Sequence, residues 1–514
     1  MKKRLGLILF SLTVSLFIAA QTHITIENPA TWSGEALRPY IGQTVIFDVP
    51  MIVCGNANGN YTVSPWRRFQ PESHGFLGTP DYNATVRING SCMFSITNVP
   101  APSAAMDEPG HRCGEKIIGL KATVNSTSSL TWQGGTWSGN TRADLKKGLP
   151  DLGDYRLLVC GFNLENYFMT TGSMGARDAE ERKAQRAKVS KALKQINADI
   201  FGLVELQQGN EAITEIVSDL NKNIPGRHYV HFNDPASGTF QKVDFVYDAN
   251  VVEPWGPPNQ DNTEVQNRHK MVGFREITTG EQFIYSINHF KAMNTGARDE
   301  YRRVNEATAV IKQYNDYRTA REKDVLFMGD LNCYAFTAPI KQFTDRGFID
   351  MHRAFHADSS YSYMFNGLTS YIDHAISNNT LFPQVTGMAG YHINSDEDDR
   401  YNYQKSNDQT MFRCSDHDPV LVGLKLDSTL VFDPSPSINN ADIVYEHQHL
   451  LILRNAYKEN YPSYYRIYSI RGDLIEHQPI TSLFQEVQLP EVSGVYIFYI
   501  YFDGQVYQKK FIVP

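Results

Sequence analysis

From Tyr155 the chain alternates between short apolar runs and longer charged segments with a helical repeat. The run beginning YRLLVCGFNL reads as a buried strand, DAEERKAQRAKVSKALKQINADI as an amphipathic helix, and IFGLVELQ as a second buried strand. Strands apolar on both faces and separated by helices predict an α/β layered unit continuing to about Leu426. Before it, residues 22 to about 140 carry shorter apolar runs (QTVIFDVPMIV, ATVRI, KIIGLKATV) among Gly, Ser, Thr, Asn and Pro, the pattern of a small β domain. After it, LLILR, YYRIYSI, EVQLP and GVYIFYIYF predict a compact all-β module. The breaks fall at NTRADLKKGLPDLGD, with Gly148, Pro150 and Gly153, and at DSTLVFDPSPSINNAD.

The first residues read differently. Lys2, Lys3 and Arg4 precede an apolar segment that ends in the small residues Ala19 and Ala20. That is the pattern of a secretory leader cleaved near Ala20 or Gln21. A retained anchor would need a longer apolar core. No cysteine follows that would take a lipid, and no later stretch is apolar enough to span a membrane. The expected organisation is a leader at 1–20, a small β domain at 22–140, an α/β unit at 152–427 and a β-sandwich of immunoglobulin-like size at 435–514. For the first β domain, an oligonucleotide-binding-type barrel and a generic β-sandwich spacer both fit.

Composition narrows the chemistry. With 514 residues the chain is too long for one core. A 41% hydrophobic and 20% charged makeup excludes a disordered protein. The net charge of -8 argues against wholesale polycationic binding of nucleic acid. It leaves phosphate chemistry open, because a divalent metal can supply local positive charge. Six cysteines in an exported chain allow fifteen pairings, so connectivity stays open.

Why should the apolar run KDVLF end in MGDLNCYA, on an acid followed by an amide? A buried carboxylate is costly without a cation, a histidine or a backbone cap to satisfy it. The other polar interruptions repeat the pattern: Asn163 and Glu165 in GFNLENYF, Glu205 in FGLVEL, His289 in FIYSINHFKA, Asp373 in SYIDHAIS, Asp416 and His417 in CSDHDPVLVGL. Each alone reads as a turn acid or a satisfied histidine. Gathered at strand ends in one domain, they predict a polar edge with catalytic content.

In their order, FNLEN, LVELQ, INHFK, GDLN, YIDHAIS and SDHDPV resemble the endonuclease/exonuclease/phosphatase superfamily, which includes deoxyribonuclease I. The longer run YSYMFNGLTSYIDHAIS resembles its bacterial extracellular nucleases. The resemblance spans about residues 155 to 426. It implies a four-layer α/β (α+β) sandwich, two packed β-sheets flanked by helices, with the site along one edge. It implies metal ligation by Asn163, Glu165, Glu205 and Asp416, an oxygen-rich set suited to Mg²⁺, with Mn²⁺ or Ca²⁺ as substitutes. His417 would take a proton from the attacking water, with Asp373 orienting its ring. His289 would donate to the phosphate and leaving oxygen, Asp330 would orient water, and Asn332 would donate to a phosphate oxygen. Whether Asp330 or His417 is the base stays open. Lys242, Arg268 and Arg303 are candidate phosphate contacts, each with an internal ion pair as the alternative. A Cys333–Cys414 bridge and two free thiols are both compatible with loops that meet in the family.

The tail, YRIYSIRGDLI followed by GVYIFYIYFDGQVYQKKFIVP, resembles the C-terminal sorting domain of the type IX secretion system. The combined expectation is a monomeric, secreted or surface-held nuclease for DNA, with RNA a further candidate and the secretion machinery as partner. The alternatives are a phosphatase or sphingomyelinase-type phosphodiesterase on the same scaffold and an inactive adhesin.

Overall fold

The computed structural model describes residues 21–427, except positions 30, 58, 69–89, 101–109, 173, 235–239, 260–267, 294–296, 319–321, 357–358 and 406–409. Between 441 and 513 it describes the strands and a few flanking residues. The expected leader and the linker after residue 427 lie outside the described residues. Among the described residues, no helix is long and apolar enough to cross a membrane.

Two six-stranded sheets face each other. The first runs Tyr229–His231, Gln241–Asp248, Ile200–Gln207, Leu157–Tyr167, Val420–Leu424, Val385–Gly390; the second runs Val252–Asn259, His269–Glu276, Gln282–His289, Val325–Asp330, Asp373–Ser377, Ile349–Asp350. Strand alternation builds the layers. Leu157 and Val159 point into the core between the sheets, while Leu158, Cys160 and Phe162 face the helix side. In the second sheet Leu326 and Met328 point inward, and Val325 and Phe327 point out. Helices Ala179–Ile196 and Glu211–Asn223 cover the first sheet, and Ala297–Tyr317 covers the second. The result is the expected mixed α/β sandwich of packed sheets flanked by helices.

The helix Ala179–Ile196 starts where Asp178 accepts from the Glu181 amide at 2.9 Å, and it ends at left-handed Asn197. Its arginines do not form a nucleic-acid patch. Arg182 and Arg186 pair with Glu215 and Asp219 of the next helix, and Lys188 is buried with its ammonium on the Phe412 carbonyl at 2.9 Å.

Ahead of this unit, five strands close on themselves in the order Met51–Ala57, Asn60–Ser64, Phe94–Thr97, Ser129–Ser138, Lys116–Ser126, with the last paired back to the first. They make a barrel around Val53, Tyr61, Phe94 and Ile117. Toward the C-terminus lie sheets of three and four described strands, with Tyr465, Ile467, Phe498 and Ile500 in the core.

Candidate active site

Register brings the chemistry together. The strands ending at His289 and Asp330 are parallel neighbours with those two residues opposite one another, and Asp330 is opposite Asp373 on the next strand. The strands carrying Asn163 and Glu205 are also parallel neighbours, in the facing sheet. Gly161 lets the sheets close in just below them, since a Cβ there would sit 3.3 Å from Met328 of the other sheet. Asn163 Nδ2 therefore reaches across to Asp330 Oδ2 at 3.1 Å.

Asp330 answers the question its sequence posed. It is 2% exposed, and its Oδ1 accepts from the Asn332 amide at 2.9 Å. Two imidazoles flank its other oxygen: His289 Nε2 at 3.8 Å and His417 Nε2 at 3.9 Å. Burial pushes its carboxyl up to about 7; the His417 charge opposes this and the Asp373 carboxylate adds to it. Asn332, in the left-handed region at φ 49°, donates through its side chain to the Phe290 carbonyl at 3.0 Å, so that hydrogen bond competes with the phosphate contact expected of it.

The histidines are held in opposite states. His417 donates from Nδ1 to Asp373 Oδ2 at 2.7 Å, which leaves Nε2 as the reactive nitrogen. Burial works against its charge, but Asp373, Asp416 and Asp330 outweigh it and hold the ring protonated. His289 is held neutral by burial, with the Arg268, His417 and Lys291 charges adding to the effect. The base expected at His417 thus sits among charges that favour its imidazolium form.

On the other side stand Glu165, Glu205 and Asp416. Glu165 and Glu205 take left-handed backbone at φ 52° and 64°, Glu165 within an irregularity of the strand pairing. Glu205 Oε2 accepts from the Asn166 amide at 2.8 Å, and its Oε1 is 3.7 Å from His289 Nε2. Burial, then Asp416, pushes the Glu165 carboxyl up to about 8, and the same two causes raise Glu205. Crowding of these half-buried acids raises the Glu165 and Glu205 carboxyls, and their oxygens suit a hard divalent metal. Asn163, Glu165, Glu205 and Asp416 therefore fit Mg²⁺, Mn²⁺ or Ca²⁺. Among the described residues, the one acid/histidine group with ligand atoms within 4.8 Å of each other is Asp330, Asp373 and His417. There the Asp373–His417 hydrogen bond already uses the facing atoms, so the Glu165 side is the better cation cradle.

Of the three expected phosphate contacts, Arg268 lies in the site. Its Nη2 donates to Phe290 at 2.6 Å, its buried Nε has no protein acceptor, and its charge faces Glu306, Asp330 and Glu205. Lys242 and Arg303 are internal ion pairs. Lys242 is 3% exposed and bonded to Asp244 at 2.7 Å, and Arg303 holds Glu300 and the Lys291 carbonyl. Cys333 and Cys414 are free thiols in separate cores, so no bridge joins these loops.

Several site residues had no mark in the sequence. Asn402 donates to both oxygens of Glu165, Arg413 places its charge beside Glu165 and Asp416, and Ser362 donates to Asp373. Asn402 and Arg413 come from the aperiodic segment 391–418, where no apolar repeat flags position. Ser362, inside YSYMF, was visible as a hydroxyl next to a strand but not as a partner.

The barrel reaches the site through the same segment. Arg112 and Arg68 pair with Asp396, and Arg142 donates from Nε to Glu397 at 2.9 and 3.0 Å. Asn394, two residues from Asp396, holds the His417 carbonyl at 2.7 Å, and Asp418 accepts from the Asn394 and Ser395 amides.

Residues 160–417 match the model of the Endonuclease/Exonuclease/phosphatase family. The chain belongs to this family. Its members are hydrolases of phosphoester bonds that depend on divalent metal, and the site has the residue types for that chemistry. Three solved structures are similar over about half of the chain. A mannosyl-6-phosphatase of Bacteroides thetaiotaomicron has 17% identity and a TM-score of 0.39, covering 52% of this chain and 100% of its own. The human Nocturnin catalytic domain with bound sulfate has 15% and 0.40, covering 54% and 96%. D. rerio TDP2 complexed with single strand DNA product has 13% and 0.38, covering 52% and 99%. No curated protein sequence matches the chain.

Proposed function

We propose that this hydrolase is an exported, metal-dependent nuclease that cuts phosphodiester bonds of DNA. The observation that carries the reading is Asp330 set between His289 and His417, beside the acids Glu165, Glu205 and Asp416. Bound at those acids and Asn163, a divalent cation would offset the charge that grows on the phosphate in the transition state. Asp373 fixes the His417 ring so that Nε2 faces the reacting water; the water's proton goes to Asp330 while His417 is the imidazolium, and to Nε2 once the ring is neutral. Neutral His289 donates from Nε2 to the phosphate or leaving oxygen. Arg268 contributes fixed positive charge beneath the site.

The proposal extends to the ends of the chain. Residues 1–20 serve as leader, and the module from about 435 directs type IX secretion, delivering a monomer to the surface or medium. The test of the activity is incubation with circular plasmid, with and without chelator. Nicked or linear product that depends on divalent metal is expected. Intact plasmid in the presence of metal would exclude an endonuclease.

A further inference from the structure

Among the described side chains, Phe240 and Phe365 are the two phenylalanines left exposed, at 59% and 58%. Phe365 is two residues from Tyr363, which stands against His417, and Phe240 precedes Gln241, which bonds Asn166 beside Glu205. Phe365 lies on the strand Tyr363–Phe365, which pairs with Leu368–Ser370 around left-handed Asn366 and Gly367. Two such residues close a tight hairpin with fixed register. Side chains two apart on a strand share a face, about 6.6 Å from one another. Tyr363 stands against His417, ring centroids 4.9 Å apart, so Phe365 continues the same face away from the catalytic histidine. Met364 points the other way, into the barrel core.

The hairpin is rigid. A Cβ on Gly55 of the barrel would lie 2.9 Å from the Gly367 Cα, and Leu368 packs with Trp66, Cys54 and Cys92. The exposed ring is thus presented by a buttressed element rather than by a loose loop. The Phe240 carbonyl accepts from the Gln208 amide at 3.2 Å. The next residue, Gln241, reaches Asn166, whose amide holds Glu205. Phe240 therefore marks the Glu165–Glu205 side of the site as Phe365 marks the His417 side.

An exposed aromatic ring on each side of a phosphate-cutting centre suits a substrate whose planar bases lie next to the scissile phosphate. Bases stack on aromatic side chains when they are free of a partner strand. Inside a duplex their faces are already covered. We propose that Phe365 and Phe240 are base-stacking platforms flanking the scissile phosphate, and that the enzyme takes unpaired strands in preference to duplex. The inference rests on the nuclease reading and names the strand state that reading leaves open.

The test uses the full chain and an end-labelled single-stranded DNA in which one central tract lacks bases, beside the fully based strand and its duplex. Wild type should cut the based strand faster than the duplex. Phe365→Ala and Phe240→Ala should each lower kcat/KM on the based strand roughly 5- to 150-fold, mainly through KM. Phe365→Trp should restore it. Within the base-free tract, wild type and both alanine variants should cut alike. Equal rates for wild type and Phe365→Ala on the based strand, an equal loss on the base-free tract, or faster cutting of duplex overturns the inference. Wild type that cuts no oligonucleotide at all removes the nuclease reading itself, a distinct outcome.

Discussion

One oxygen of Asp373, Oδ2, accepts both from Ser362 Oγ and from His417 Nδ1, each at 2.7 Å. The carboxylate is 3% exposed, so this oxygen is fixed from two sides before any substrate arrives. Asp373→Asn keeps the shape but places either an amide donor or a weaker acceptor opposite Nδ1, so the ring loses its tautomer. The fold should persist, since the strand pairing of Asp373 with Asp330 uses backbone groups. Phosphodiester cleavage should fall by about 10² to 10⁴, the scale on which orienting carboxylates act in hydrolases. Cleavage and DNA binding assayed side by side check this. A variant with wild-type turnover would make Asp373 a strand-end cap and leave Asp330 as the base.

The carboxylates opposite predict metal dependence. Glu205 is held by the Asn166 amide and raised by burial and Asp416, so its charge is costly until a cation arrives. Exhaustive chelation should abolish activity, and readdition of Mg²⁺ or Mn²⁺ should restore it. Glu205→Gln removes one negative ligand and should shift the metal titration to much higher concentration. An unchanged titration would assign Glu205 a structural role.

Arg142 and Glu397 make a stability prediction. They are 2% and 1% exposed and join the segment before the α/β unit to the loop that holds His417. Glu397→Gln leaves two buried guanidinium groups, Arg142 and Arg112, short of charge. Breaking a buried pair from one side costs on the order of 3–5 kcal/mol. The urea midpoint should drop accordingly, and turnover should fall because the loop carrying Asn394, three residues away, loses a buried ion pair. Replacing Arg142 and Glu397 together with methionine should recover part of the stability. A midpoint equal to wild type for Glu397→Gln would show that the two parts do not depend on this contact.

The tail predicts delivery. Its described strands contribute no group to the site, so a chain ending near residue 434 should remain a competent hydrolase. Under the export proposal it should accumulate inside the outer membrane, which fractionation of the producing cells reads directly. Full delivery of the truncated chain would give the tail another task.

How much of this was legible in the sequence depends on what each residue leans on. His289, Asp330 and Asp373 each end or begin an apolar run, and strand periodicity places such residues at a sheet edge without further information. The layered fold followed from the same alternation, with Leu157 and Val159 inward and Leu158 and Cys160 outward. Charges were the weak point. Arg303 sits closer to a motif than Arg268 does, and only the positions of Asp244 and Glu300 make Lys242 and Arg303 internal pairs. The segment 391–418 was opaque for another reason. Asn394, Asn402 and Arg413 act through turns and side-chain hydrogen bonds, which leave no hydrophobic period to read.

A last prediction concerns acid sensitivity beneath the site. His352 is fully buried, with Nε2 on the Asp373 carbonyl at 2.8 Å, Nδ1 on Ser360 Oγ at 2.6 Å and its ring stacked on Tyr371. Burial holds it well below its ordinary value, and the His374, His356 and His392 rings add to the effect while the Asp373 carbonyl opposes it. His374 and His356 are themselves held low by burial. Below about pH 6.5 the unfolded chain takes up a proton at this position that the folded chain refuses. The stability due to neutral His352 is therefore complete above that pH and is lost as pH falls toward the depressed folded value. Asp330, Glu165 and His417 bias the whole protein in the opposite sense, because each binds its proton more tightly when folded. The clean readout is thus a difference. His352→Gln removes the titration along with the stack, so it should be less stable than wild type at pH 7.5. The gap should narrow by up to about 1.4 kcal/mol per pH unit as pH falls below 6.5. Urea unfolding of both proteins from pH 7.5 to 5 measures it. A gap constant across that range would mean that His352 carries the same charge in both states.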